Sequence, residues 1–246
     1  MMAMRRRYVL LTLAALVVAG SVFMLLRPAT TRQGIDYRVT EYRIPAYVKA
    51  IDFLQRHFQY KLLASRICAG KTTEADCVLA IFDWTHENIP PTPPGWPVID
   101  DHVLHVVIRG HGQSDQMAAV FATLATYAGT RTFFTRIKES GFGGEIVLSF
   151  AQIDEKWIPF DVERHVAFRD RTGELASVDT LLAGEGLVDA HAGATLPGGV
   201  PYSAFISKAT LSPFVPPAWS HAELQQPWPR VRYEVGKFAG LAGTQE

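Results

Sequence analysis

A glycine-rich turn that leads directly into an apolar helix constrains the fold of this chain more than any other segment. The segment from Gly110 to Gly129 reads GHGQSDQMAAVFATLATYAG. Its apolar residues recur at helical spacing, and Gly129 stands where a helix commonly ends on a left-handed residue. We therefore predict a helix from about Ser114 to Tyr127. Folds that carry out covalent catalysis often place a nucleophile at such a helix start, and here the candidate is Ser114.

Two helices are predicted before this segment, and strands are predicted after it. The first helix opens at Pro45 and ends at Gly70, and the second follows an N-cap at Thr73 that is paired with Asp76. The apolar stripe of the first helix comprises Tyr47, Val48, Ile51, Leu54, Phe58 and Leu62. Beyond the central helix lie the strand-like runs TRTFFTRI, GEIVLSFAQI and KWIPFDV, the last two joined by a short turn at Asp154–Glu155. Helices followed by antiparallel strands predict an α+β fold.

The first residues are typical of an exported protein. Three arginines at positions 5–7 precede an uncharged run from Tyr8 to Leu26, close to the roughly 20 apolar residues that span a bilayer. Since clustered arginines stay in the cytoplasm, we predict a cytoplasmic stub at 1–7 and a transmembrane anchor at 8–26. The rest of the chain then lies on the periplasmic or extracellular side. A cleaved signal peptide is the alternative, and both interpretations export the domain.

Composition divides the remaining chain into three parts. Residues 27–44 are polar with little periodicity, and we predict a tether there. Residues 45–185 are predicted to form the globular domain, which closes with an edge segment, a turn at Gly173 and a short helix. From residue 186 to 246, proline and glycine are frequent, so we predict an irregular extension over that domain.

The charge and the cysteine content of the chain indicate which partners and which cellular compartment to expect. Lys and Arg together number 24 and balance 24 Asp and Glu, so no nucleic-acid partner is expected. Cys68 and Cys77 lie close in the sequence, and such a pair in an exported chain is a disulfide candidate. The alternative is two small buried residues on neighbouring helices. No CxxC motif and no histidine spacing typical of zinc occur, and we predict neither metal nor cofactor.

Several short motifs in a fixed order resemble the transglutaminase-like branch of the papain-type fold. The match covers roughly residues 73–183. A W-x-x-x-N-I pattern starts at Trp84, the glycine turn ends at Ser114, a strand follows, and the segment WIPFD ends at Asp161. The resemblance implies a helix-packed antiparallel sheet, a nucleophilic cysteine at the helix start, a histidine on the next strand and an acid that orients it.

The chain departs from this family at two of the three catalytic positions. The cysteine position holds Ser114, the histidine position falls on Glu145 or Ile146, and the acid is retained as Asp161. A serine needs a general base within hydrogen-bond reach, and a free carboxylate is a poor base for an alcohol. We therefore predict a degenerate, inactive site in which Ser114 caps the helix. With no histidine to orient, Asp161 has an alternative role in bonding backbone amides or Arg164.

Three functional hypotheses follow. The first is a membrane-anchored, exported transglutaminase-like domain without catalysis that binds a peptide or a cell-envelope polymer in the remnant cleft. The second is a serine-dependent hydrolase or acyltransferase that uses Ser114 with Asp161 and with His111 or His165 as the base. The third is a structural subunit of a membrane complex. Aromatic residues in proline-rich loops that are candidates for stacking on a bound chain, or more simply for anchoring those loops, are Trp96, Trp219 and Trp228.

Overall fold

The computed structural model describes most of the chain. It describes residues 2–139, 144–184, 186–187, 195–196, 200–201, 211 and 214–239, with the backbone alone for 2–10, 138–139, 144, 186–187, 195–196 and 200–201. The side chains of the predicted cytoplasmic stub and of the first residues of the predicted anchor therefore lie outside the described residues, as does much of the predicted extension.

Helices precede the main sheet in the chain, so the α+β prediction is confirmed. The helices are α1 (Met2–Leu26), α2 (Ala46–Ile67), α3 (Glu74–Asn88), α4 (Val103–Arg109), α5 (Ser114–Ala128), α6 (Val178–Leu182) and α7 (Pro227–Phe238), with a short 3-10 helix at Glu223–Gln225. The strands are β1 (Pro28–Ile35), β2 (Arg38–Pro45), β3 (Ile99–Asp100), β4 (Thr132–Glu139), β5 (Gly144–Ile153), β6 (Lys156–Asp161), β7 (Val166–Ala167), β8 (Arg169–Asp170), β9 (Gly186–Leu187), β10 (Thr195–Leu196) and β11 (Val200–Pro201).

The helix α5 lies at the centre of the fold. It packs against β4 and β5 on one side and against α2, α3 and α4 on the other, so most of its residues are buried. Gly129 ends the helix with φ 108°, in the left-handed region that glycine adopts without strain. The predicted helix and its terminal glycine are confirmed, because a helix buried on nearly all sides carries a strong apolar signal.

The main sheet is antiparallel, with strand order β4-β5-β6-β7. Its alternating side chains build two clusters. On the face towards α5, Ala151 of β5 and Ile158 and Phe160 of β6 join the core around Phe121. On the opposite face, Phe150 lies in a second cluster, which holds Phe133, Ile137, Ile146, Leu148, Phe150, Val166, Phe168, Ala176, Val178, Leu181 and Leu211. The sheet is therefore covered on both faces.

Two-residue turns with positive φ at both positions close two hairpins. The turn Asp154–Glu155, with φ 47° and 63°, joins β5 to β6 as predicted. Asp36–Tyr37 has the same two φ values and joins β1 to β2. The prediction of an irregular tether at 27–44 is therefore wrong. The strands β1 and β2 carry polar side chains on both faces, such as the paired Arg32 and Glu41, and so show no alternation of apolar residues.

The first helix, α1, presents its described side chains to the surroundings. The side chains from Leu11 to Leu26 are exposed. Within the described part of the chain, no helix has both the length and the apolar character needed to cross a membrane.

The helix α2 forms where the sequence predicts it, but its apolar stripe faces outwards. Ile51 and Phe58 are 61% and 63% exposed, whereas Arg56, Tyr60 and Ala64 are buried. The Tyr60 hydroxyl accepts a hydrogen bond from the Leu104 amide at 2.8 Å, which docks the buried face of α2 on α4. The stripe is therefore a surface feature of the described structure.

The end of the chain is more regular than predicted. Pro227 begins α7, a position where its missing N–H costs nothing. The Tyr127 hydroxyl donates to the Gln225 carbonyl at 2.7 Å, and the Gln226 side chain donates to the Thr126 carbonyl at 3.1 Å. The prediction of an irregular extension is therefore wrong for residues 223–238. The frequent prolines of the tail argue against regular structure, but one of them, Pro227, is the first residue of α7. Trp228 consequently lies in a helix and not in a loop.

The Cys68–Cys77 disulfide is present as predicted. It links the end of α2 to α3 across a sequence separation of 9. Closing a loop of this length restricts the unfolded chain by about 2–3 kcal/mol. We therefore expect the Cys68→Ala/Cys77→Ala variant to lose that much free energy of unfolding in urea denaturation. Wild-type protein treated with a reductant is the control and should show the same loss; unchanged stability on reduction would contradict this assignment.

Candidate functional site

A cavity of about 360 Å³ opens at the N-terminal end of α5. Three parts of the fold meet there: the β1–β2 hairpin, the start of α5, and strands β4 and β5. The residues that line it are Gly34, Tyr37, Val39, Val98, Asp100, Gln113, Ser114, Asp115, Gln116, Arg136, Glu145 and Val147. Because the first turn of α5 lines it, we call this cavity the α5 cleft.

The turn before α5 sets the position of Ser114. The Gln113 amide donates to the Gln116 side chain at 3.0 Å, and the Met117 amide donates to the Gln113 carbonyl at 2.9 Å. Gln113 is therefore the N-cap residue and Ser114 the first residue of the helix. The prediction of Ser114 as N-cap is wrong by one position, because the Gln116 side chain bonds back to the amide of Gln113 and makes Gln113 the cap.

Gly112 permits this tight approach. A Cβ atom at this position would lie 3.1 Å from Cγ1 of Val106 and 3.1 Å from Cβ of Gln116. The Gln116 side chain also donates to the Ile99 carbonyl at 2.6 Å, which ties the helix start to β3. The glycine-rich turn thus holds the cleft wall together.

A charge network occupies the wall beside Ser114. One guanidinium nitrogen of Arg136 lies 2.6 Å from the Asp115 carboxylate and another lies 3.3 Å from the Glu145 carboxylate. The hydrogen bond to Asp115 is the main cause that raises the pKa of Arg136. Glu145 is therefore held in an ion pair with Arg136.

Ser114 and Glu145 line the same cleft. Val147 lines it as well, so alternate residues of β5 face α5, while Ile146 belongs to the cluster on the other face of the sheet. Of the two residues predicted for the histidine position, Glu145 is therefore the one on the cleft side of the sheet. Ser114 is half-buried and lines the cavity, and its hydroxyl makes no hydrogen bond with any other residue that the structure describes.

Asp161 is not part of this cleft. Its side chain is fully buried, and the β5–β6 register with strand alternation places it on the sheet face opposite Glu145. One carboxylate oxygen accepts from the Arg164 amide at 3.0 Å, and the other accepts from the Arg164 guanidinium at 3.1 Å. These contacts give Asp161 a structural role in the turn between β6 and β7.

His111, the alternative base in the same turn, points away from the cleft. Its ring is buried, with Nδ1 3.3 Å from the Thr92 hydroxyl and the ring edge-on to Trp96 at 5.2 Å between centroids. Burial, followed by the positive charge of Arg109, lowers the pKa of His111. The structure therefore does not bring this imidazole to Ser114.

His165 lies in the turn between β6 and β7 and packs in a separate cluster against α3. It stacks on His86 at 4.4 Å between ring centroids and on Phe82 at 4.8 Å, and its Nε2 lies 2.9 Å from a carboxylate oxygen of Asp83. Neither His165 nor His111 lines the cleft. Among the described residues that line it, none carries an imidazole or a thiol.

Arg136 and Tyr37 line the cleft but were not predicted from the sequence. Arg136 pairs with Val147 in the sheet register and so shares its face. The alternation of β4, in which Phe133 and Ile137 belong to the opposite face, was the signal that could have placed Arg136 in the cleft. Tyr37, 88% exposed at the hairpin tip, had no such signal, because the hairpin itself was not predicted.

Comparisons with known proteins give low similarity. No protein-family model matches the chain, and no curated protein matches it. Solved structures that resemble it include a proposed cysteine protease from Cytophaga hutchinsonii, with 17% identity over 56% of this chain and 53% of that one, at a TM-score of 0.39. A proposed protease from Parabacteroides distasonis matches with 14% identity over 54% of this chain and 35% of that one, at a TM-score of 0.35. A transglutaminase matches with 11% identity over 54% of this chain and 43% of that one, at a TM-score of 0.35. The chain thus spans about half or less of the length of these solved proteins.

Proposed function

We propose that this chain is an exported, membrane-anchored, transglutaminase-like domain that binds a peptide or a cell-envelope polymer in the α5 cleft without catalysing a reaction on it. The observation that carries the proposal is the pairing of Arg136 with Asp115 and Glu145 beside the Ser114 hydroxyl. An ion-pair network stands where a nucleophile and its base would have to meet.

The chemistry of the cleft supports binding over catalysis. Attack by a serine requires removal of its hydroxyl proton by a base in contact with it. Glu145 is bound to Arg136, and transferring a proton to it would weaken that pair as well as form an unfavourable alkoxide. Losing the base of a nucleophilic triad removes a rate factor of about 10⁶. What remains is a cavity with hydrogen-bonding and charged groups.

The charge of the cleft supports a ligand that carries amine or guanidinium groups. Asp100, Asp115 and Glu145 line it together with one cation, Arg136. The excess of carboxylates favours cationic groups of a peptide or of an amino-bearing polymer. The exposed ring of Tyr37 at the rim offers an apolar face with a polar tip, as is common at recognition surfaces.

Export is supported by the disulfide between Cys68 and Cys77, since such bonds persist in oxidising compartments. The arginine cluster before the apolar run of residues 8–26 supports membrane anchoring with the domain outside the cytoplasm. Fractionation of cells that express the full chain would test this, with a protease added to intact spheroplasts. Digestion of the domain in intact spheroplasts is expected, and protection would contradict export.

Labelling and restoration experiments test the absence of catalysis. We expect no Ser114-dependent labelling of the wild-type chain by a fluorophosphonate probe. In the variant Ser114→Cys/Glu145→His, a thiol at the helix start would face an imidazole across the cleft, and its pKa should fall. We expect its alkylation by iodoacetamide near neutral pH to be about tenfold faster than that of an ordinary thiol.

Ser114→Cys alone is the matched control and should react more slowly than the double variant. Equal rates would show that residue 145 does not reach residue 114.

The accessible Ser114 hydroxyl favours one rival function, a serine-dependent hydrolase or acyltransferase. Fluorophosphonate labelling that is abolished in Ser114→Ala would establish that rival and overturn the binding proposal.

A further inference from the structure

The last described helix, α7, presents an apolar stripe that nothing in the described structure covers. Trp228, Val231, Val235 and Phe238 follow one another at intervals of three or four residues and so lie on one face of the helix. Their exposed fractions are 63%, 49%, 61% and 96%. No residue of α7 is buried among the described residues.

A short helix with an exposed apolar face needs a surface against which that face can pack. It has 12 residues, a length at which an isolated helix is marginal in water, so that its stability has to come from packing of its apolar face. Its connection to the body runs through the preceding turn, where the Gln226 side chain donates to the Thr126 carbonyl. The stripe itself receives no such support within the described part of the chain.

The charges of α7 indicate what that surface is. The helix carries Arg230, Arg232 and Lys237 against Glu234, which pairs with Arg230 at 2.8 Å. Three cations and one anion leave an excess of positive charge. The Arg232 guanidinium lies over the Trp228 ring at 5.2 Å, so a cation borders the apolar stripe. Tryptophan, valine and phenylalanine flanked by arginine and lysine are typical of helices that lie in the headgroup region of anionic bilayers.

We propose that α7 is an interfacial helix that inserts Trp228, Val231, Val235 and Phe238 into the surface of an anionic lipid bilayer. Its basic side chains contact the lipid phosphates. This contact is separate from the anchor proposed for residues 8–26, and it would press the C-terminal end of the domain against the membrane. A peptide partner or a second copy of the chain would not require the excess of cations.

The test uses the full chain in lipid nanodiscs. Val235→Cys is labelled with an environment-sensitive fluorophore in a protein whose two native cysteines are already bonded. Discs contain phosphatidylcholine with or without phosphatidylglycerol, and some carry spin-labelled acyl chains that quench a nearby fluorophore. We expect about a twofold or larger drop in emission in anionic discs with the quencher. The same label on Arg38→Cys, at the exposed start of β2, should stay unquenched.

Two further variants separate the contributions of charge and stripe. Reversing the cations with Arg230→Glu/Arg232→Glu should remove the dependence on phosphatidylglycerol, and Val231→Ser/Phe238→Ser should remove the quenching. An unquenched Val235→Cys label in discs that still hold the chain would overturn the proposal while leaving the anchor intact. Emission that instead rises with protein concentration in the absence of lipid would assign the stripe to a second copy. A chain that leaves the discs altogether would contradict both membrane proposals.

Discussion

Replacing Phe121 by alanine is expected to lower the free energy of unfolding by about 3–5 kcal/mol. The side chain is fully buried in the middle of α5. Its ring lies 6.1 Å from that of Phe82 on α3 and 5.3 Å from that of Phe160 on β6, measured between centroids. The substitution therefore opens a cavity at the point where the helical layer meets the sheet, and neighbouring rings cannot close it without leaving their own contacts.

Urea denaturation followed by circular dichroism measures this loss. Phe58→Ala provides a matched control, because the same substitution is made on a helix at a position that is 63% exposed. We expect that control to change the free energy of unfolding by no more than about 0.5 kcal/mol. Similar losses at both positions would mean that α5 is not the centre of the core.

The second large effect is expected at Asp161. Replacing it with alanine removes a fully buried carboxylate that bonds the amide and guanidinium of Arg164. Breaking a buried ion pair from one side leaves the partner uncompensated, but Arg164 also contacts Glu163 at 3.0 Å and is partly exposed. We therefore expect a loss of about 2–4 kcal/mol, towards the lower part of the range for buried pairs.

A double-mutant cycle with Arg164→Ala identifies the source of this loss. If the pair accounts for it, Asp161→Ala should cost much less in the Arg164→Ala background than in the wild type. An Asp161→Ala variant with the same urea midpoint of unfolding as the wild type would instead show that Asp161 has no structural role.

The parts of the fold that were predictable carry strong local signals. The buried helix α5 shows its apolar repeat and its terminal Gly129, and the β5–β6 hairpin shows two apolar runs around Asp154–Glu155. The disulfide was predictable because the two cysteines of the chain allow only one pairing within it. In each case the residues that determine the structure are neighbours in the sequence.

The parts that were missed depend on contacts between distant residues. The β1–β2 hairpin is polar on both faces and is placed by bonds between Asp36 and Val98, over sixty residues away. Gln113 became the cap of α5 because Gln116 bonds back to it. Arg136 reaches the cleft because of strand register, and Asp161 leaves it for the same reason, since a shift of one residue moves a side chain to the other face of a sheet.

The junction between α1 and β1 limits how far the α5 cleft can move relative to α1. A single residue, Arg27, separates Leu26 from Pro28, and its carbonyl accepts a hydrogen bond from the Ala46 amide at 2.8 Å. A flexible linker of some twenty residues would let a domain sample several nanometres of space. Here, the hairpin that begins at Pro28 itself forms a wall of the cleft, so no such linker separates α1 from the cleft. If α1 is held in a bilayer as we propose, the cleft stays at a fixed height above it, and any polymer that binds must come down to the domain.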